Sequence, residues 1–487
     1  MNYTWIAFLL YIFISLLLGK YAGRSEKSAD DFWTAGRGLG SLSVGLSISA
    51  GFMSISWSCV YAVQLFYWYG VGALWLVTIP WIIALTGIWI LAGKYHDLKE
   101  FSQPEMIEKR FGKGLKRVVA SALAFVFLVW GAAEIYVASS LLAPDLGIST
   151  NLLILIISVV IALYTTSGGF KAVILTDKLQ FVLVALYIIM IGLVAFFGLK
   201  AEGINIFSKG VLEGAKSGKA WTDLFTPGVS LIVLTLVAYL PGWIFETDLW
   251  LRVQAARDNR SAKGGILIAG INSFLFVGIL PLFIGISAIY LFPVKGGVFP
   301  PMTGHEGDAI FSAILIKYAP AWLKFFSSVG LVAAAMSTID TCVNIVALSI
   351  GYDILDVRRR KDPELKSKII TVIAVLLTFI FALSINSLWD IFYLSSGILT
   401  TSVAFPVAAV FLKRVKKHPL FLSSLFGFSG TILFYFLEKS VMFKSIEPSF
   451  LKNSGVGFIL FGIISSFIGY ISGTFVKSKK QILKNRI

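Results

Sequence analysis

Apolar runs of roughly 20 residues alternate with short polar stretches along almost the whole chain. A transmembrane helix needs about 20 apolar residues, whereas a barrel strand needs only about 10. In lipid, only helices and closed barrels satisfy the backbone polar groups. The pattern therefore predicts an all-α polytopic membrane protein. About thirteen transmembrane helices are expected, at 3–22, 41–68, 71–93, 116–142, 151–168, 172–198, 229–251, 264–292, 320–350, 368–386, 389–412, 419–437 and 455–476.

Composition supports a lipid environment. The 487 residues are 57% hydrophobic and 14% charged, with a mean hydropathy of +0.84, which leaves too little polar surface to coat a soluble globule. Cys59 and Cys342 lie inside apolar runs, and His96, His305 and His418 lie in predicted loops, so neither a disulfide framework nor a zinc or haem site is expected. The first apolar run has no cleavage signal and is interpreted as a retained helix.

The net charge of +16 comes from basic clusters between the apolar runs, which is typical of a membrane protein and not of a nucleic-acid-binding protein. If the N-terminus is outside, most of the 42 Lys and Arg fall on the cytoplasmic side. The positive-inside rule thus predicts a plasma (cell inner) membrane protein with an extracellular N-terminus and a cytoplasmic C-terminus. These basic residues lie at 24, 27, 37, 109–117, 252–263, 358–361, 413–417 and in the C-terminal tail.

The helix count suggests internal symmetry. One leading helix and two final helices leave ten, which divide into two sets of five. Because five is odd, the second set enters the membrane in the opposite sense, as in inverted-repeat transporters; a bundle without internal symmetry is the alternative. The predicted units are a leading helix and cytoplasmic loop (1–40), a first repeat (41–198), an extracellular loop (199–228), a second repeat (229–412), and two helices with a cytoplasmic tail (413–487).

The stretch 41–58 is unusually polar for a lipid-facing helix, with seven serines and two glycines. Gly51 lies among Ser49, Ser54, Ser56 and Ser58. This pattern suits a helix that breaks in mid-membrane and turns backbone carbonyls toward a cation. The alternative is a face of small residues for close helix packing.

A second polar segment lies within the predicted helix 320–350. Ser337, Asp340, Thr341 and Asn344 share one helical face by their spacing. A hard monovalent cation such as sodium binds through several oxygens, which this face supplies. Hydroxyls that bond back to their own helix are the alternative, but a carboxylate at mid-depth needs a partner.

Asp177 follows a polar turn between two apolar runs. A functional role and simple neutralisation by Lys171 or Lys178 at the surface are both open.

Other acidic residues lie inside apolar runs. Glu134 has no basic residue within two helical turns, whereas Asp248 can pair with Arg252 four positions later. Glu134 and Glu246 are therefore candidates for contact with a solute, with a structural hydrogen bond to a neighbouring helix as the alternative.

Four stretches together resemble the sodium:solute symporters, the family of the sodium/proline, sodium/sialic acid and sodium/glucose carriers. They are 30–40, 167–180, 248–257 and 334–338, of which 167–180 resembles the most specific signature of that family. The resemblance implies the leucine-transporter fold, a 5+5 inverted repeat with alternating access. It also implies a sodium site made of two carbonyls from the first core helix with the carbonyl of Ala334 and the hydroxyls of Ser337 and Thr338.

The carbonyl pair maps best onto Phe52 and Ile55, with Ala50 and Met53 as the alternative. In some members a second sodium uses residues that correspond to Asp177, Ser337, Asp340 and Thr341. The resemblance implies a solute cavity beside broken stretches of the first and sixth core helices, to which the second, third and tenth contribute. Its candidate residues are Ser54, Ser56, Gln64, Glu134, Phe245 and Ser396. The chain lacks the mid-span arginine of the sialic acid carriers on 116–142, and it has no clear sugar-binding set.

These observations predict a sodium-coupled secondary active symporter that imports a small organic solute, such as an amino acid, a sugar or an organic acid. Its expected partners are the sodium ion, the solute and the lipid bilayer, with no nucleic acid, and a monomer is expected to suffice for transport. A proton-coupled carrier of the same fold and a passive channel are the alternatives. No catalytic constellation of His, Cys or acidic residues is found, so an enzyme is not expected.

Overall fold

The computed structural model of the chain describes residues 3–23, 37–98, 100, 102–357, 360–385, 387–440 and 454–476. Over these residues it is built from helices, with only isolated backbone bridges and no named strand. Within them, ten helices are long and apolar enough to cross a membrane, or eleven if one bent pair counts as a span. The all-α prediction is confirmed. The predicted basic sites at 24, 27, 358 and 359, the C-terminal tail and most of the stretch 30–40 lie outside the described residues.

The helices follow one another along the chain with short connections. Four of them contain or adjoin a π-helical turn, at Ile55–Tyr61, Phe274–Ile279, Ser349–Ile354 and Leu399–Ala404. The α-helices are Tyr3–Gly23, Ser41–Phe52, Ala62–Tyr69, Thr78–Asp97, Gln103–Phe111, Lys113–Leu146, Thr150–Ala201, Val229–Ile244, Thr247–Ala255, Asn259–Ser273, Leu280–Leu291, Ile310–Tyr318, Leu323–Leu348, Pro363–Ala382, Leu388–Ile398, Phe405–Val410, Lys417–Glu438 and Gly457–Phe475.

The predicted helix 41–68 is broken, as its serines and glycines suggested. Ser41–Phe52 ends at Met53, and the chain restarts at Ile55 with a bend of 57° between the two parts. Ser54 has extended backbone angles, and its hydroxyl accepts the N–H of Trp57, so it caps the second part. The break therefore leaves the last carbonyls of the first part without partners in their own helix.

Close packing explains the first part of the same stretch. A Cβ atom at Gly45 would come within 2.7 Å of Ile268, and one at Gly265 within 2.5 Å of Val44. Ser41–Phe52 and Asn259–Ser273 therefore approach each other through glycine, as small residues allow in membrane helices. The two interpretations of 41–58 thus hold for different parts of it.

The structure differs from the predicted spans at two places. The predicted helices 151–168 and 172–198 form one helix of 52 residues, Thr150–Ala201. The predicted helix 229–251 is interrupted at Phe245 and Glu246. Pro241, inside Val229–Ile244, is the sequence signal for this second break, because proline removes a backbone donor and disrupts the helix.

Two short helices were not predicted, because each is too short to cross a membrane. Gln103–Phe111 is capped by the Ser102 hydroxyl and has an apolar face that is buried on the bundle. Ile310–Tyr318 packs on the long helix Thr150–Ala201.

Leu323–Leu348 lies at the centre of the molecule. Of an apolar 18-residue stretch within Ser328–Ile354, 94% is buried, compared with 28% of such a stretch within the peripheral helix Gly457–Phe475. It packs against Lys113–Leu146, Thr150–Ala201 and the broken helix. Polar residues on this helix are therefore surrounded by protein, which removes them from lipid.

Candidate sodium and solute site

The break in the first core helix faces two hydroxyls of the central helix. Ser337 donates to the carbonyl of Ala50 at 3.0 Å and lies 2.9 Å from its own helix carbonyl at Ala334, and Thr338 donates to the carbonyl of Gly51 at 3.2 Å. The two segments are 287 positions apart in sequence. Five oxygens thus converge where the helix has lost its own hydrogen bonds, which is the arrangement that replaces the hydration shell of an alkali cation.

The carbonyls that meet the hydroxyls are those of Ala50 and Gly51, and the predicted pair lies nearby. Phe52 packs its ring against Trp81 at a centroid distance of 4.0 Å. Ile55 begins the second part of the helix, and its N–H donates to Glu134 at 3.1 Å. The assignment of Phe52 and Ile55 as ligands stays a prediction.

Glu134 binds the start of the second part of the broken helix. Its carboxylate accepts the N–H groups of Ile55 and Ser56 at 3.1 to 3.3 Å and also the Ser56 hydroxyl. Glu134 is 2% exposed. A carboxylate at a helix N-terminus satisfies orphan N–H groups and complements the helix dipole, so Glu134 fixes the geometry of the break from a neighbouring helix.

Asp177 forms an ion pair with Arg252, which lies 75 positions away in the sequence. Arg252 is fully buried, and its Nη2 lies 3.2 Å from Asp177 and 3.0 Å from the Thr341 hydroxyl. The same guanidinium also pairs with Asp248, as the i+4 spacing predicted. Ser47 completes the network with bonds to Asp177 and to Arg252.

Asp340 precedes Thr341 in the sequence but takes no part in this network of hydrogen bonds. It has no exposed surface, and both of its carboxylate oxygens are buried without a hydrogen-bond partner. Asp177, Asp340 and Thr341, with Ser337, were predicted to hold a second ion. Arg252 now contacts two of them.

An aromatic cavity opens next to the helix break. Trp81 stacks on Trp243 at 4.1 Å, and Trp57 meets Trp243 and Phe392 edge-on at 5.5 and 4.7 Å. The cavity has a volume of about 60 Å³, several times what one water molecule needs. Gly51 and Thr338 also line it, so the cavity adjoins the oxygens at the break.

Three of the predicted solute residues are at or beside this cavity. Ser54 and Glu134 line it, and Ser56 is hydrogen-bonded to Glu134. Ser396 lies behind the wall, where its hydroxyl accepts the indole N–H of Trp243 at 3.2 Å. Phe245 marks the second break, and its carbonyl accepts from the Gln103 side chain.

Gln64 is buried outside the residues that line the cavity. Sequence reasoning missed the aromatic walls, because tryptophans are common in any membrane helix. Their convergence depends on tertiary packing. It also missed Arg252 as the partner of Asp177.

A family model for the sodium:solute symporter family matches residues 32–427 of the chain, well over half of its length. The chain belongs to the sodium:solute symporter family. The resemblance read from the four sequence stretches is thereby confirmed.

Several curated members of the family are similar to this symporter over most of its length. The sodium/sialic acid symporter NanT of Aliivibrio fischeri is 23% identical over 503 residues, which cover 98% of this chain and 94% of that protein. The osmoregulated proline transporter OpuE of Bacillus subtilis is 24% identical over 475 residues, 93% of each chain. The sodium/glucose cotransporter of Vibrio parahaemolyticus is 26% identical over 72% of this chain and 68% of that protein.

Solved structures match the fold. A substrate-bound, outward-open Na⁺-coupled sialic acid symporter superposes with a TM-score of 0.71 at 18% identity and covers 98% of both chains. A crystal structure of MhsT in complex with L-phenylalanine gives a TM-score of 0.56 at 13% identity over 90% of this chain and 99% of that one. Because the chain belongs to the sodium:solute symporter family, the protein is a sodium-coupled membrane symporter of a small organic solute, and the prediction of sodium as the coupling ion is confirmed.

Proposed function

We propose that this symporter binds its coupling sodium ion between the break of the first core helix and the hydroxyl pair of the central helix. Ser337 and Thr338 supply hydroxyls, and Ala334 supplies a carbonyl. The support is that both hydroxyls already reach across to carbonyls at the break. An ion that draws on oxygens from both helices holds the two helices together.

The remaining two carbonyls come from the broken helix. The contacts of the hydroxyls favour Ala50 with Gly51 as their neighbours, and the family resemblance favours Phe52 with Ile55. All four residues lie within one helical turn of the break. The carbonyls of Ala50, Gly51 and Phe52 are those that the C-terminal end of the first part leaves without an internal partner, whereas Ile55 begins the second part.

A second ion competes with Arg252. Asp177, Asp340 and Thr341 were predicted as its ligands, together with Ser337. Because the guanidinium contacts Asp177 and Thr341, a sodium ion can use those two oxygens only after Arg252 moves away. Arg252 acts in this proposal as a resident cation that keeps the second position filled.

The architecture proposed is the 5+5 inverted repeat of the leucine-transporter type, with a leading helix and two final helices, about thirteen spans in all. In this count the apolar runs Thr150–Leu163 and Thr176–Ala201 of the long helix are two spans. Its units are 1–40, 41–198, 199–228, 229–412 and 413–487. The orientation proposed has the N-terminus outside and the C-terminus in the cytoplasm, which the distribution of basic residues supports. A single copy of the chain contains both the ion ligands and the cavity, which supports transport by a monomer.

Coupling follows from shared residues. Gly51 and Thr338 belong both to the ion site and to the wall of the cavity, so binding of sodium shapes the place where the solute binds. A sodium ion that enters down 100 mV releases about 2.3 kcal/mol, and a tenfold gradient adds about 1.4 kcal/mol. One ion can thus sustain a solute accumulation of several hundredfold.

Uptake into proteoliposomes tests this function. Labelled proline, glucose, sialic acid and choline are offered under an inward sodium gradient with potassium inside. We expect at least one of them to accumulate above its external concentration and to leak out again when a sodium ionophore collapses the gradient. Equilibration of a solute at the same rate in sodium and in potassium would indicate a passive channel, and uptake driven only by an imposed pH gradient would indicate a proton-coupled carrier.

A further inference from the structure

We propose that the solute of this symporter is an organic cation, whose ammonium group is bound by the aromatic walls of the cavity and by the carboxylate of Glu246. The inference rests on the proposed function, in which this cavity is the solute site. It narrows the solute to organic cations, whereas the three relatives described above are named for sialic acid, proline and glucose.

The walls are of the kind that binds ammonium groups. Seven of the fifteen lining residues are aromatic, four of them tryptophans. The faces of tryptophan rings attract cations through their quadrupole, and aromatic boxes are a common means of binding quaternary ammonium ligands. The attraction grows when water is excluded, and Trp57, Trp81 and Trp243 are each at most 6% exposed.

The ionisable side chains that line the cavity, among the residues that the structure describes, are acidic. Among the lining residues described are three acids, Glu134, Glu246 and Asp248, and no Lys, Arg or His. Asp248 is neutralised by Arg252 behind the wall. Glu134 is held by backbone N–H groups at the start of a helix.

Glu246 is the acid without such support. It is 3% exposed, and its Oε2 is buried with no hydrogen-bond partner. Arg252 acts on Glu246 through its charge but forms no hydrogen bond with this oxygen. A buried carboxylate oxygen without a hydrogen-bond partner is costly, and a cation in direct contact supplies that partner. The acid lies at the second break, between Val229–Ile244 and Thr247–Ala255, where it faces the same cavity as the first break.

An anionic solute is disfavoured by the position of Glu134. The N-terminus of a helix is a natural site for a carboxylate. Here the N–H groups of Ile55 and Ser56 already bind the carboxylate of Glu134. A solute carboxylate would find these donors occupied and a second negative charge beside it.

A sugar is disfavoured by the scarcity of free polar groups. Each buried hydroxyl of a sugar needs a hydrogen-bond partner. The Thr338 hydroxyl already donates to Gly51, and the hydroxyls of Ser54 and Thr341, which accept from Trp57 and Arg252, have only one proton each to donate. The indole N–H groups of Trp57 and Trp81 are buried without a partner, so a single acceptor oxygen on the solute would pair with either.

Choline and its neutral isostere 3,3-dimethylbutan-1-ol test the proposal, because they share shape and hydroxyl and differ in charge. Binding to the purified full-length protein is followed by thermal shift in sodium chloride and in potassium chloride. We expect choline to stabilise the protein in sodium, and the isostere to bind at least tenfold more weakly. Tetramethylammonium is expected to respond like choline, only more weakly, since it lacks the hydroxyl.

Single substitutions test whether Glu246 is the carboxylate that binds the ammonium group. Glu246→Gln is expected to weaken choline binding at least tenfold, with sodium binding retained as proof of folding. Glu364→Gln removes an exposed carboxylate that pairs only with Lys368, and it is expected to bind choline like the parent protein. If Glu246→Gln does not fold, the comparison of choline with its isostere decides alone.

The proposal is overturned if the isostere binds as tightly as choline, if proline, glucose or pyruvate gives a larger sodium-dependent shift, or if no ammonium compound gives any shift. A sodium-dependent response to a neutral or anionic solute would leave the proposed function intact. That function fails only if the response to every solute is the same in sodium and in potassium.

Discussion

Arg252 contacts four charged or polar side chains in the core. It has no exposed surface and joins Asp177, Asp248, Ser47 and Thr341, which come from four different parts of the chain. Two carboxylates around one guanidinium leave this network acidic, and Asp340 adds a further carboxylate beside it. A surplus of buried carboxylates favours the uptake of cations from solution.

Replacement of Arg252 separates a structural from an ionic role. Removal of one partner of a buried pair costs about 3–5 kcal/mol, so Arg252→Gln should lower the melting temperature in potassium chloride. Because the substitution frees Asp177 and Thr341, sodium should restore part of the lost stability, and by more than it stabilises the parent protein. Thermal unfolding over a series of sodium concentrations measures both effects.

Arg257→Gln is the matched control, since Arg257 is exposed and pairs with its neighbour Asp258. It should unfold like the parent in either salt. If Arg252→Gln is destabilised equally in sodium and in potassium, the idea that the guanidinium stands in for a second ion is wrong.

At the scale of single residues, the sequence predicted an ion pair between positions close in the chain and missed one between distant positions. The bond between Asp248 and Arg252 follows from their spacing of four residues. The bond between Asp177 and Arg252 joins positions 75 apart, and only the packed helices bring them together. The aromatic walls escaped prediction for the same reason.

At the scale of the individual helices, the element that shapes the site is the broken helix at 41–69. Its two parts are held by different means: glycine contacts with Asn259–Ser273 for the first, and the carboxylate of Glu134 for the second. The serines and Gly51 predicted this break, because so many small polar residues have no use on a lipid-facing helix. The second break, at Phe245 and Glu246, was expected only from the family resemblance, which implies a broken sixth core helix, and Pro241 is its one local sequence signal.

Glu438 offers a matched comparison for Glu134. It accepts the N–H groups of Gly457 and Phe458, at 3.1 and 2.7 Å, at the start of the helix Gly457–Phe475. No residue of this helix lines the cavity. A hydrogen bond to a charged group contributes about 1.5–3 kcal/mol. Both Glu134→Gln and Glu438→Gln should therefore lower the melting temperature by a few degrees.

Only Glu134→Gln should also weaken the binding of sodium, since it loosens the break that presents the carbonyls. Sodium titration of both variants by thermal shift measures this difference. Equal sodium affinities for the two variants would mean that Glu134 stabilises the fold without shaping the ion site.

On the scale of the whole molecule, the hydropathy of the sequence was sufficient to predict an all-α membrane protein. Only helices and closed barrels can cross a bilayer, and the apolar runs are too long for barrel strands. The exact number of spans is harder to predict. The apolar runs Thr150–Leu163 and Thr176–Ala201 belong to one helix in the structure, although a polar turn in the sequence suggested two. Helix continuity there depends on neighbours that the local sequence does not specify.

The molecule works as a symporter only if the two distant segments share one ion. Equilibrium binding of ²²Na⁺ to the purified protein tests this most directly. The double variant Ser337→Ala, Thr338→Ala should bind sodium at least tenfold more weakly, a loss of about 1.4 kcal/mol or more. Ser158→Ala removes a buried hydroxyl that bonds only to its own helix carbonyl at Ile154, and it should bind sodium like the parent. Unchanged ²²Na⁺ affinity in the double variant would contradict a sodium site at the helix break.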